Sequence, residues 1–236
     1  MEALLRGDGF RRLVRLIEPA SAERIRTQVM GCLDDAESDD EGALYLRGLL
    51  DWSDDCRDLV VNPRLLAVTK ELLGVDLGLA GFSASVLMPE CEQGPLHVDY
   101  PYWALAPSTP VEPALMMQVI WLMERFTEEN GGTWVAPGSQ AWSGRPERER
   151  FEAHAVQITG DAGDAIVSHG RLWHRTAVNR CDTPRVAILV NYMQLEVRPI
   201  PFGPFDDESL QRAAPDLKEL LRQVSSRASS SSLAPR

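Results

Sequence analysis

The sequence has little lysine, little histidine and no long apolar run, and each shortage narrows what the chain can be. Lys70 and Lys218 are the only lysines among 24 basic residues, which face 35 acidic ones, so the formal net charge is -11. A surface of that sign repels phosphate backbones and anionic headgroups, which sets aside nucleic acid and membranes as partners. No apolar stretch approaches the roughly 20 residues that a spanning helix needs. Cysteine is sparse as well: Cys32, Cys56, Cys91 and Cys181 lie scattered without C-x-x-C spacing. With no signal-like apolar segment at the N-terminus, the expectation is a cytoplasmic protein without a disulfide framework. Histidine is limited to His97, His154, His169 and His174.

What is present suits a globular chain. At a soft prior of roughly 150 residues per domain, 236 residues predict a single domain over 1–224. It divides into a mostly helical layer (1–75), a β core (76–200) and a C-terminal helix (201–224), with a Ser-rich, disordered tail at 225–236. Ile25, Val29 and Leu33 recur on one face of a helix for which Ser21 is a candidate N-cap. A second helix runs from Pro63 through Leu65, Leu66, Val68, Leu72 and Leu73 to a stop at Gly74. Between them, Asp34 to Glu41 carries six acidic residues in eight positions and reads as a solvated loop.

After Gly74 the texture changes to short apolar or alternating runs bounded by turn residues, the pattern of a β sandwich or barrel. Candidate strands are Leu77 to Met88, Leu96 to Asp99, Leu115 to Met123, Thr133 to Val135, Ala155 to Ile158, Asp164 to Val167, Trp173 to Val178 and Val186 to Val197. Asn130-Gly131-Gly132, Pro137-Gly138-Ser139 and the segment from Asn179 to Asp182 supply turns.

Leu96-His97-Val98-Asp99 carries the first chemical signal. On a strand, His97 and Asp99 share one face, so an imidazole and a carboxylate can converge on one metal. A distant second histidine would complete a 2-His-1-carboxylate triad of the kind that holds non-haem Fe(II) with open positions. His174 is the best candidate, with His169 and His154 as competitors. His-x-Asp alone is more often an ordinary hydrogen-bonded pair than a metal site. Arg185 follows His174 by eleven residues across a turn closed by Pro184, which can return its guanidinium to the metal's side. Such a planar fork suits a carboxylate, although a structural salt bridge is the simpler use.

Taken together, His97-x-Asp99, the segment Glu129-Asn130-Gly131-Gly132-Thr133-Trp134-Val135-Ala136-Pro137-Gly138-Ser139-Gln140, the segment from Gly163-Asp164-Ala165 to Leu172-Trp173-His174, and Arg185 resemble the phytanoyl-CoA dioxygenase-like family of Fe(II)/2-oxoglutarate oxygenases. The resemblance covers about residues 60 to 200. It implies a mainly β fold with flanking helices: a double-stranded β-helix, or jelly roll, with iron at the open end. It also implies His97, Asp99 and His174 as iron ligands, and Arg185 on the C5 carboxylate of the co-substrate 2-oxoglutarate. Thr133 matches a position that donates a hydroxyl to that co-substrate in some relatives, and Gln118 on the preceding strand could line the same pocket. Tyr100, Tyr102 and Trp103 fall where relatives form part of the substrate wall or pack the barrel rim, and His169 is a candidate pocket group.

The implied activity consumes O2 and 2-oxoglutarate, releases succinate and CO2, and oxidises, most simply hydroxylates, a small molecule. An intact Asp99 argues against halogenation, for which relatives replace this carboxylate. A jelly-roll binding protein without oxygenase activity is the alternative. The arginine bias is that of a GC-rich bacterial genome, where stand-alone relatives tailor specialised metabolites; a monomer or homodimer is expected. The family often has His where this chain has Gln140.

Overall fold

A computed structural model describes residues 2–100, 112–195 and 215–221. Ten strands and six α-helices can be followed there. The strands are β1 (Phe10–Leu13), β2 (Glu37–Ser38), β3 (Ala43–Leu46), β4 (Leu77–Leu87), β5 (Met116–Leu122), β6 (Trp134–Val135), β7 (Val156–Gln157), β8 (Ala165–His169), β9 (His174–Arg175) and β10 (Arg185–Gln194). The helices are α1 (Glu2–Leu5), α2 (Pro19–Met30), α3 (Asp54–Val60), α4 (Pro63–Leu73), α5 (Arg148–Glu152) and α6 (Pro215–Leu220). None of these helices is long and apolar enough to cross a membrane.

Seven strands form one antiparallel sheet in the order β1-β8-β5-β10-β4-β3-β2, and β7-β6-β9 form a second. The large sheet has two different faces because side chains alternate along each strand. Val119, Trp121, Val167, Ile188, Val190 and Tyr192 point outward and pack with Ile25 and Val29 of α2, Leu59 of α3, and Leu65 and Leu72 of α4. The inward set, Ile120, Leu122, Ile166 and Ala187, meets Val135, Ile158 and Leu172 from the other side of the barrel. Covering both faces explains why β5 is buried throughout and apolar at every position but Gln118, and does not alternate.

The helices end where their sequences require. Asn62 accepts from the Arg64 and Leu65 amides, Pro63 occupies the first turn, and Gly74 stops α4 with φ 89. The α2 helix begins at Pro19, ahead of the expected cap at Ser21, because a proline whose missing N–H costs nothing there is preorganised for the first turn. Leu33 lies beyond the helix in a 3-10 turn.

Three further expectations change. Residues 1–75 hold four helices but also supply strands to the large sheet: β1 pairs with β8 at one edge, while β3 pairs with β4 and β2 with β3 at the other. The acidic run is not wholly loop, since it contains β2 and a turn in which Asp39 Oδ1 accepts from the Glu41 and Ala43 amides. Leu96 to Asp99 does not form a strand; His97 alone bridges to His174. Pro95 lacks the N–H a ladder needs, and Pro101 restricts the backbone before it. The predicted strand from Trp173 is likewise reduced to His174–Arg175. The tail at 225–236 and most of the expected 201–224 helix lie outside the described residues.

Candidate metal centre

His97 and His174 exchange both backbone hydrogen bonds, each amide donating to the other's carbonyl at 3.0 Å. Directly opposed residues of an antiparallel pair project to the same side, and the two imidazole centroids lie 4.2 Å apart. One bridge therefore replaces the longer strand in bringing the histidines together. Each ring is tethered in the same way. Nδ1 of His97 lies 2.8 Å from the Pro95 carbonyl and Nδ1 of His174 lies 2.9 Å from the Leu172 carbonyl. A carbonyl only accepts, so both rings carry their proton on Nδ1 and turn the Nε2 lone pair inward.

Asp99 completes the group. Its Oδ1 is 3.6 Å from His174 Nε2 and accepts a 2.7 Å hydrogen bond from Gln118 Nε2. One ligand atom from each of His97, Asp99 and His174 lies within 4.8 Å of the others, the one cluster of this kind among the described residues. Burial pushes the Asp99 carboxyl up to about 6 against the opposing pull of His97. Burial also lowers His174, and it lowers His97 together with the nearby His174. Two imidazoles kept neutral beside a carboxylate that is costly to ionise alone form a donor set that a divalent cation would satisfy.

Arg185, the first residue of β10, points into the same barrel. It is 3 % exposed, its Nε has no hydrogen-bond partner, and no carboxylate lies within 4.0 Å among the described residues. Its guanidinium rests over the Phe126 ring at 4.4 Å. Burial lowers it to about 10, partly offset by the more distant Glu124, so it stays a cation at neutral pH. A buried charge without a counter-ion is expensive, and such a site favours an anion.

A cavity of about 60 Å³ joins the two features, lined by His97, Gln118, Thr133, His174 and Arg185 together with Tyr45, Ser85, Thr176, Ile120, Ala187 and Leu189. A second cavity, of about 260 Å³, shares Tyr45, His97 and Thr176 with it and is bordered by Asp39, Glu41 and Glu92. Thr133 thus lies where it was expected. Gln118 also lines the cavity, but its amide nitrogen is committed to Asp99. Tyr45, Ser85 and Thr176 were missed: Tyr45 and Ser85 are cross-strand partners on β3 and β4, and nothing in their local sequence marks them. Thr176 had a faint signal, two residues after His174.

The remaining candidates separate. Tyr100 is buried with Ala80, Met116 and Met193, a packing position at the end of the inner face. Tyr102 and Trp103 lie outside the described residues. His169 pairs with Met117 on the outward face of the large sheet, and its Nδ1 accepts from the Arg171 amide. The exposed His154 packs edge-on against Trp142. Gln140, in place of the family's frequent His, is fully buried and donates to the Gly7 carbonyl at 2.9 Å, which ties the N-terminal segment to the turn.

The model of the phytanoyl-CoA dioxygenase (PhyH) family matches residues 5–187. The chain belongs to the PhyH family. Among relatives, it is 35% identical over 169 residues to Dioxygenase af480 of Aspergillus fumigatus, a match that covers 70% of this chain and 54% of that protein. It is 23% identical to the L-proline trans-4-hydroxylase of Streptomyces griseoviridis, covering 81% of this chain and 85% of the other. The chain spans about half the length of the fungal dioxygenases it matches. Among solved structures, the epimerase SnoN in complex with Fe3+, alpha ketoglutarate and nogalamycin RO superposes with TM-score 0.68 at 19% identity, covering 84% of each chain. That likeness establishes the fold: this PhyH chain is a jelly roll, as its sequence implied. The relatives are fungal as well as bacterial, so they do not carry the expectation of a bacterial source.

Proposed function

We propose that this PhyH-family chain is an Fe(II)/2-oxoglutarate-dependent dioxygenase that oxidises a C–H bond of a small organic molecule, most simply by hydroxylation. The observation that carries the proposal is the buried Arg185, which has no carboxylate partner among the described residues, facing the His97–Asp99–His174 group across one cavity. A single anion with a chelating end and a carboxylate end satisfies both. When bound, Fe(II) would activate O2, the oxidant, with 2-oxoglutarate as the two-electron co-reductant that leaves as succinate and CO2.

The chain's residues then have distinct tasks. His97 and His174 would offer Nε2 and Asp99 a carboxylate oxygen, a ligand set of the kind that holds non-haem Fe(II) and leaves it able to take further ligands. Arg185 pairs with the far carboxylate, and the Thr133 hydroxyl lies on the same wall to donate to the co-substrate. Ile120, Ala187 and Leu189 keep the space between apolar, which strengthens the Arg185 pairing and excludes water. The hydroxylase among the relatives and the ketoglutarate-bound epimerase among the solved structures support this class of chemistry. Specialised-metabolite tailoring in a bacterial cytoplasm belongs to the same proposal, and the four free cysteines suit a reducing compartment.

The test is turnover of 2-oxoglutarate. Wild type with Fe(II), O2 and a panel of small amino acids and polycyclic metabolites should release succinate above the no-enzyme rate, with mass increments of 16 in accepted substrates. Absence of succinate across the panel in iron-loaded protein would favour the binding-protein alternative.

A further inference from the structure

We infer that Gln118 is a positioning residue of the centre: its side-chain amide holds Asp99 so that the carboxylate offers a metal a single oxygen. The inference rests on the metal reading above. Gln118 lies on the inner face of β5, is 5 % exposed, and donates from Nε2 to Asp99 Oδ1 at 2.7 Å. A bond that short between an amide and a carboxylate is of the charge-assisted kind.

The need for such a tether follows from where Asp99 sits. Its segment enters the barrel through one bridge at His97 and forms no ladder over the described residues 98–100. The backbone therefore does little to fix the carboxylate. By contrast, β5 is a central strand, paired along its length with β8 on one side and β10 on the other. Gln118 links the least supported ligand to the stiffest part of the sheet. The two histidines have equivalent anchors in the Pro95 and Leu172 carbonyls. With Gln118 included, every ligand has one outer partner, the arrangement that sets ligand orientation at metal centres.

The tether has a chemical consequence. A carboxylate can bind a metal through one oxygen or chelate through both. A strong N–H donor on Oδ1 competes for the lone pairs chelation would use and fixes the plane of the group. Single-oxygen binding preserves the open positions that a chelating co-substrate and oxygen require. An amide suits the task because it donates at every pH and adds no charge beside Asp99.

The experiment uses Co(II) as the probe, titrated into full-length apoprotein and followed by its visible ligand-field absorption. Two variants are compared with wild type: Gln118→Met, of similar length with no donor, and Gln118→Glu, which keeps the shape but cannot donate when ionised. The expected result is about 10- to 100-fold weaker Co(II) binding in both, with altered ligand-field bands and native-like circular dichroism. Wild-type affinity and bands in both variants would overturn the inference. A lowered thermal midpoint with unchanged affinity would assign Gln118 to packing and overturn it equally. If wild type binds no Co(II), the metal reading itself falls, an outcome distinct from wild-type binding that the variants share.

Discussion

Arg185 and Asp99 carry opposite charges in one barrel, and each is costly there without its ligand. Replacing Arg185 with methionine removes the partner for a dicarboxylate and should weaken 2-oxoglutarate by about 30-fold or more, from a loss of about 2 kcal/mol or more. Metal affinity should be unaffected, and the apoprotein's thermal midpoint should stay level or rise, because a buried unpaired cation is gone. Calorimetric titration and a melting curve check both. Asp99 sets the pH dependence. With its carboxyl pushed up to about 6, the metal-free Asp99 takes up a proton as pH falls through that value, while burial shifts both histidines the opposite way, down from their ordinary range. Metal and proton compete for the same oxygen, so Co(II) affinity should level off above pH 6 and fall about tenfold per unit below it. A plateau extending down to pH 4.5 would contradict the shift.

At this scale the sequence was legible where chemistry is uncommon. His97, Asp99, His174 and Arg185 stand out because histidine is scarce and the motifs around them recur in order. Tyr45 and Ser85 were not legible, because they reach the cavity only through the pairing of β3 with β4, a contact between positions 40 residues apart with no local pattern. The face that His169 occupies was not legible for the same reason: it depends on its register with Met117.

Among the elements, β10 binds the two layers together. Its inward residues line the cavity, while outward Tyr192 donates from its hydroxyl to the Val60 carbonyl at the end of α3, a 2.6 Å bond in the core. Burial raises that phenol further above its ordinary value, so it remains a donor throughout the working range. Tyr192→Phe leaves the carbonyl unpaired and should cost about 1–3 kcal/mol, at about 2–4 °C of thermal midpoint per kcal/mol for a chain of this size. Gly163 joins β1 to the rest: its carbonyl accepts from the Leu16 and Ile17 amides, its φ is 87, and a Cβ there would meet the Ile17 carbonyl oxygen. Gly163→Ala should therefore destabilise the fold measurably, and an unchanged melting curve would refute the close approach. Long strands such as β4, β5 and β10 were readable from composition. The short pairings were not, because one bridge at His97 leaves no periodicity to detect, and Pro95 offers no N–H to extend it.

The whole molecule is a jelly roll whose inner surface gathers the His97–Asp99–His174 donors and Arg185 around one cavity. Saturating metal should therefore stabilise it by mass action, about 2.7 kcal/mol at a hundredfold excess over the dissociation constant, and chelation should reverse the gain. A melting curve that ignores metal would place the His97–Asp99–His174 group outside metal chemistry. The most direct single measurement combines metal, co-substrate and protein: the visible absorption spectrum of anaerobic apoprotein given Fe(II) and then 2-oxoglutarate. The account predicts a metal-to-ligand charge-transfer band that appears only with both additions and is lost in His174→Ala. No band in wild type, or an undiminished one in His174→Ala, would contradict it.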